Sequence, residues 1–269
     1  MLSFGVGSWT LDNVVTYDAG RNDLAPAGDE FDQFLRLREA GISLSREQPK
    51  RQYETFVRAS THWAKGDIQI VAGDFNDNSL AVTSIATTDS TIPRITYSQN
   101  RMKALGIAGN LVNGAWLYFA EMGIHQDKAV RPNAASYLGQ LQGWEQKDQI
   151  LSVMGVEYNG LRNLVLTFEL DNIHTRQHDE SMLDHQDQIG IGARIYWTTL
   201  NERLKLIAVW NELVDADSNI GRVSVNYSWS DSLESGLLWM HYGSQRGSAF
   251  YDYRSNDILQ FQLRYSFQI

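Results

Sequence analysis

From Leu259 to the C-terminus, apolar and polar residues take strict turns. Leu259, Phe261, Leu263, Tyr265, Phe267 and Ile269 alternate with Gln260, Gln262, Arg264, Ser266 and Gln268. Successive side chains of a strand point to opposite faces, so this segment predicts a strand with one apolar and one polar face. Earlier segments repeat the pattern. Val223, Val225, Tyr227 and Trp229 alternate with Arg222, Ser224, Asn226 and Ser228, and Ile189, Ile191, Ala193, Ile195 and Trp197 alternate with Gln188, Gly190, Gly192 and Arg194. Leu164, Leu166, Phe168 and Leu170 face away from Thr167, Glu169 and Asp171. Weaker versions run through residues 53–59, 68–72 and 116–124. Residues 204–213 and 237–242 are apolar on both faces and read as strands from their context. Residues 29–40 suit a short helix or a strand with mixed faces.

The connections alternate in length. Short turns are predicted at 63–67, 112–114, 158–160, 198–203 and 230–232, with longer polar loops at 76–93, 127–147, 174–187 and 243–257. Short periplasmic turns alternating with long external loops mark outer-membrane barrels. A periplasmic C-terminus puts every short turn on the inner side. Trp197, Trp229, Tyr265 and Phe267 then fall near that interface, with Trp210, Trp239 and Tyr242 higher, as aromatic girdles require. A soluble β-sandwich gives the same period, with its apolar face buried against a second sheet. Alternation running to the final residue favours the membrane. The expected fold is all-β, an antiparallel up-and-down transmembrane β-barrel of about twelve strands. Residues 1–269 would form one domain, a complete barrel or an incomplete part of a larger one.

Composition narrows the function. The chain has no Cys, which removes disulfides, thiolate metal sites and cysteine nucleophiles together. Its formal net charge of −9, with no basic cluster interleaved with aromatics, argues against nucleic acid as a partner. Mean hydropathy is −0.35 and no run of about 18 apolar residues occurs, so helical spans are excluded. A β-barrel escapes that test, because its lipid face occupies every second residue. Residues 1–7 lack the basic start and apolar run of a signal peptide, so an exported chain is expected here in mature form or as a piece of a longer precursor.

Certain motifs carry a resemblance. They are Ile92-Pro93-Arg94, Gly106-Ile107-Ala108-Gly109, Ala115-Trp116-Leu117-Tyr118-Phe119-Ala120-Glu121, Gly155-Val156-Glu157-Tyr158-Asn159-Gly160 and Leu200-Asn201-Glu202. Arg222-Val223-Ser224-Val225-Asn226-Tyr227, Asn256-Asp257 and Arg264-Tyr265-Ser266-Phe267 complete the set. With these, roughly the last two-thirds of the chain resembles bacterial outer-membrane proteins of domain of unknown function family 1302. The resemblance implies a location in the bacterial outer membrane, sometimes beside exporters of hydrophobic molecules. It implies outer-membrane lipids and an exporter or periplasmic protein as partners, and it brings no catalytic residues.

Candidate chemistry is sparse. His174, His178, Asp179, Asp184 and His185 form the one dense group of metal-ligand types, against the simpler reading of a hydrated polar loop. Residues 73–78, Gly-Asp-Phe-Asn-Asp-Asn, resemble a calcium loop without its later ligands, and a turn explains them better. His241, Ser235 and Glu121 would have to converge inside a barrel to make a hydrolase. Neither a cofactor, a metal nor an enzymatic activity is expected. The polar set is more informative. Glu169, Asp171, Arg194, Arg222 and Arg264, with Gln260 and Gln262, would line the lumen, either bordering a water-filled pore or cross-linking into a plug. The expected function is passive or partner-assisted passage of small or hydrophobic molecules across the outer membrane. The alternatives are a closed barrel serving as anchor or loop-presenting binder, and a soluble β-domain.

Overall fold

The computed structural model describes residues 1–17, 26–29, 34–39, 41–87, 93–130, 144–245 and 254–267. Fourteen strands form one sheet: β1 Leu2–Val6, β2 Trp9–Thr16, β3 Ser43–Arg46, β4 Glu54–Trp63, β5 Gly66–Thr87, β6 Pro93–Asn113 and β7 Trp116–Val130, then β8 Glu145–Leu161, β9 Leu164–Thr175, β10 Asp187–Thr199, β11 Leu204–Leu213, β12 Ser218–Ser228, β13 Leu233–Ser244 and β14 Ile258–Tyr265. One helical turn, α1, spans Leu35–Glu39. All strands but β3 pair antiparallel with their sequence neighbours, from β1 at one edge to β14 at the other, while β3 adds a short parallel ladder to β6. The expected all-β, up-and-down antiparallel order is therefore present.

No pairing joins β1 to β14 among the described residues, so the sheet is open. Thirteen strands lie on the hydrogen-bonded path, an odd number, and every step is antiparallel. The two edge strands consequently run in the same direction. The rows of paired residues are also strongly staggered. A row that starts at Gly5, beside the β1–β2 turn, passes through Thr10, Ser60, Gln69, Ala108, Glu121, Val153, Asp171, Gly190, Leu213 and Ser218. It ends at Ser244, at the opposite end of β13. Stagger of this kind belongs to strands tilted against the axis of a coiled sheet.

The turns segregate by end. At one end (the hairpin end) lie Gly7–Ser8, Ala64–Lys65, Gly114–Ala115 and Arg162–Asn163, with four-residue turns at 200–203 and 229–232. At the other (the loop end) β2, β5, β7, β9, β11 and β13 end, with described connections at 176–186 and 214–217. Four expectations change. Strands number fourteen rather than about twelve, because the β1–β2 hairpin and β3 are short and weakly patterned. Residues 76–93 are mostly strand, not loop: β5 runs through residues 73–78 to Thr87, with bulges at Asn76/Leu80 and Val82/Ser84 that break the period. The turn expected at Tyr158-Asn159-Gly160 falls at Arg162–Asn163 instead. There Asn163 takes φ 59°, and the Asn159 N–H, donating to the Ala115 carbonyl at 2.8 Å, keeps β8 extended. The connection at 214–217 is short although it lies at the loop end. Residues 29–40 contain α1, with residues 30–33 and 40 outside the described set, as are Gln268 and Ile269.

Most of the buried apolar side chains gather in the loop-end portions of β5, β6 and β7. Leu80, Ala81, Val82, Ile95, Met102, Ala129 and Val130 are buried there with Phe34, and Ile95 is 0% exposed. Asn76 fastens the bend. Its N–H donates to Glu54 Oε1 at 2.9 Å and its Nδ2 to the Arg51 carbonyl at 2.8 Å. Arg101 ties β6 to Asp74 Oδ1 at 2.6 Å and to the Tyr53 carbonyl at 2.8 Å, and Lys128 bonds Asp77. This cap buries the apolar residues that broke the sequence pattern.

Along the sheet, aromatic rings lie over glycines directly opposite them: Phe119 over Gly155, Phe56 over Gly73 and Trp210 over Gly221. A Cβ built on Gly155 would stand 2.2 Å from the Phe119 ring, which must then leave its place. Gly155→Val should destabilise the folded protein by about 1–3 kcal/mol, the usual cost of overpacking. In urea unfolding, adding Phe119→Ala should recover part of that loss. Equal midpoints for the wild type and Gly155→Val would refute the ring–glycine packing.

Candidate functional site: the charged face of the sheet

Directly paired residues present their side chains on the same face, so the register sorts the sheet into two sides. One row on the first side reads Leu11, Ala59, Ile70, Ile107, Met122, Ser152, Asn172 and Ile189. Another reads Tyr158, Leu166, Ile195, Ala208, Val223, Trp239 and Leu259. This apolar face is exposed: Leu105 is 53%, Met154 57%, Phe168 51% and Phe261 70% accessible. The chain exposes 17478 Å² in all. A compact monomer of its 30.5 kDa mass would expose about 12,000 Å².

Along each strand the apolar face holds for at most about nine residues, close to a tilted membrane-spanning strand. The segments are 9–15, 57–63, 66–72, 105–113, 116–124, 150–158, 164–172, 189–197, 204–210, 221–227, 233–239 and 259–265. Within them the apolar face carries no Asp, Glu, Lys or Arg. At its loop-end border Asp74, Lys103 and Gln126 share a row. At its hairpin end aromatics gather: Trp116 packs tilted against Tyr158 at 4.5 Å and Tyr227 meets Trp229 edge-to-face at 4.7 Å, and Trp9, Trp63, Trp197 and Tyr265 stand at the same level.

All charges of these segments lie on the second face. They are Asp12, Arg58, Asp67, Glu121, Glu157, Glu169, Asp171, Arg194, Lys205, Arg222, Glu234 and Arg264. The five residues singled out from sequence, Glu169, Asp171, Arg194, Arg222 and Arg264, therefore share one face. The other charges were missed because their own strands alternate weakly, and pairing with a strongly patterned neighbour reveals their side. Asp12 and Arg58 form an ion pair at 2.7 Å. No ion pair joins the five to one another, and Arg194, Arg222 and Arg264 are exposed. Asp67 accepts from Asn110 Nδ2 at 2.6 Å, and Glu157 from Thr167 Oγ1 at 3.3 Å.

The other candidates separate. His174 Nδ1 donates to Asp187 Oδ1 at 2.7 Å, His178 Nε2 to the Asp184 carbonyl at 2.8 Å, and Asp179 bonds Ser181 and Lys147. Among the described residues no three His, Asp or Glu are placed to hold a metal. Asp74 and Asn76 lie in β5, engaged by Arg101 and Glu54 as above, so residues 73–78 are neither turn nor calcium loop. Ser235 and His241 stand on the apolar face and Glu121 on the charged one, so they cannot act together. His241 instead latches the loop end of β13: its Nδ1 donates to Asp257 Oδ2 at 2.9 Å, and the Tyr242 N–H donates to Asp257 Oδ1 at 3.1 Å.

Fold and face together define the class: an up-and-down antiparallel sheet that is apolar on one side and charged on the other. No protein-family model and no curated protein matches the sequence.

The bond from His241, and after it that from Tyr242, holds the Asp257 carboxyl below the usual carboxylate range. A depressed folded value means that the latch stabilises fully above the ordinary Asp value of about 3.9 and is lost as pH falls through the folded one. Exchange protection of the Tyr242 amide should thus hold down to about pH 4 and collapse on further acidification. Asp257→Asn should abolish that acid transition; its persistence in the variant would assign the transition to another group.

Proposed function

We propose that this protein is a bacterial outer-membrane β-barrel whose charged face borders a passage for small or hydrophobic molecules, used passively or with a periplasmic or exporter partner. The observation that carries the reading is the complete segregation of charge across strand segments of membrane-spanning length. Lipid is the solvent that suits an uncharged, exposed face bordered by Trp and Tyr at one end and by Lys103 and Asp74 at the other. A water-soluble sheet of this size would cover that face with a second layer. Among the described residues no helix is long and apolar enough to cross a membrane, a test that does not apply to strands. The resemblance to domain of unknown function family 1302 points the same way. A polar face without ion pairs among Glu169, Asp171, Arg194, Arg222 and Arg264 favours a water-filled interior over a plug.

Backbone left unpaired in hydrocarbon is costly, so the β1 and β14 edges must be satisfied in the membrane. Because they run in the same direction, they close either on each other in parallel or through a further strand antiparallel to both. In either case the edge-facing amides of β14 should be protected from exchange in detergent or bilayer. Rapid exchange there, with the rest of the sheet protected, would rule out a sealed wall.

A second reading, an anchor that presents the cap built on β5 and β6, is favoured by the packed core beyond the apolar band. It predicts membrane insertion without conductance. Heat-modifiable gel migration of the refolded protein and its partition into membranes test both readings against a soluble domain. Ile107→Lys, on the apolar face, should cost about 2–4 kcal/mol and impair insertion. Gln69→Lys, on the charged face, should insert normally. A freely soluble monomer with no heat shift would overturn the membrane reading.

A further inference from the structure

The charges of the second face are sorted as well as segregated. From β5 to β9 the strand segments carry Asp67, Glu121, Glu157, Glu169 and Asp171 and no base. From β10 to β12 they carry Arg194, Lys205 and Arg222 and no acid. Glu234 and Arg264, directly opposite each other on β13 and β14, balance locally, as do Asp12 and Arg58. A salt-bridged surface would interleave the signs. Within each group like charges are neighbours: Glu121 and Asp171 share one row across Val153, and Arg194 and Arg222 share another across Val209, while opposite signs meet at the β9–β10 seam, where Glu157 and Arg194 share a row across Thr167. Arg194 and Arg222 stand two strand spacings apart, about 10 Å. Glu121, Glu169, Arg194 and Arg222 all sit near the middle of their strands rather than at the rims. Keeping like charges together within each group costs self-repulsion, and among the described residues no ion pair joins the acids of β5 to β9 to the bases of β10 to β12.

We propose that these two walls set a transverse field across the middle of the passage, and that the field selects dipolar solutes, in particular zwitterions carrying an ammonium and a carboxylate at separate ends. This inference rests on the barrel reading above. When the sheet coils into a ring of about fourteen strands, Glu121 on β7 and Arg222 on β12 stand five strands apart, more than a third of a turn. A zwitterion can then turn its cation to the acidic wall and its anion to the basic wall at once. An uncharged solute must displace water aligned by both walls and gains nothing in return. A monovalent ion is attracted by one wall and repelled by the other, so discrimination between small cations and anions is weak.

The test uses the full chain reconstituted in liposomes, with protein-dependent entry of 4-aminobutyrate compared with that of erythritol, an uncharged polyol of similar size. Wild type should admit the zwitterion several-fold faster and show a reversal potential near zero in a salt gradient. Arg194→Glu with Arg222→Glu should abolish the zwitterion preference and make the pathway cation-selective. Glu121→Gln with Glu169→Gln should weaken the same preference while shifting ion selectivity towards anions. The two variants act on opposite walls, and heat-modifiable migration confirms that each is folded before flux is read. Protein-dependent entry of both solutes at equal rates, or a preference unmoved by both double variants, would overturn the transverse field and leave the barrel standing. No protein-dependent entry of either solute would overturn the passage and the field with it.

Discussion

Direct pairing across an antiparallel ladder holds two side chains on the same face, and the rest of this molecule depends on that constraint. Once Leu166, Phe168 and Leu170 commit β9 to an apolar side, the register commits Tyr158, Val156 and Met154 on β8 and Ile195, Ala193 and Ile191 on β10. The commitment passes from strand to strand, because a slip of one residue would carry Glu169 and Asp171 into the apolar side and Leu170 out of it. Charged side chains are the most expensive to misplace, so they pin the register most firmly. Glu121 pins β7, Glu157 pins β8 and Arg194 pins β10.

The same constraint explains why the molecule lacks a conventional core along most of its length. Mid-sheet side chains pack laterally against cross-strand neighbours, as Phe119 does over Gly155 and Trp210 over Gly221. Packing in depth occurs at the cap, where β5 and β6 outrun the apolar band and β3 joins the free edge of β6. There the surroundings change from exposed faces to a closed interior, and Ile95 becomes wholly buried although its strand is shared with exposed Leu105. Asn76, Glu54, Asp74 and Arg101 mark the transition, where backbone and side chains exchange bonds around a bulge. The latches His174–Asp187 and His241–Asp257 mark the same level on later strands.

Function follows from which face meets which solvent. The apolar face, bordered by Trp116, Tyr158, Tyr227 and Trp229, suits hydrocarbon between two polar interfaces. The charged face suits water, and in the proposed passage the division of its acids and bases between successive strands would give that water a direction. Of the candidate groups, His174, His178 and His241 each bond within or across a loop, and Ser235 and Glu121 stand on opposite faces.

The sequence by itself determined the strand class, the side on which Glu169, Asp171, Arg194, Arg222 and Arg264 stand, and the β10–β11 and β12–β13 hairpins. Period-two patterning is local, and a charge opposite a run of Leu or Ile leaves one choice of face. Only the tertiary structure decided the sides of Glu121, Glu157 and Lys205, because their strands alternate too weakly to be sorted without a paired neighbour. It alone turned residues 76–87 into strand, since the course of β5 past its bulges depends on the ladder with β6 and on the Trp144 N–H that donates to the Val82 carbonyl. It also set the odd number of strands on the path and the stagger of the rows. These are properties of how ladders add up across the whole sheet, and no single segment carries them.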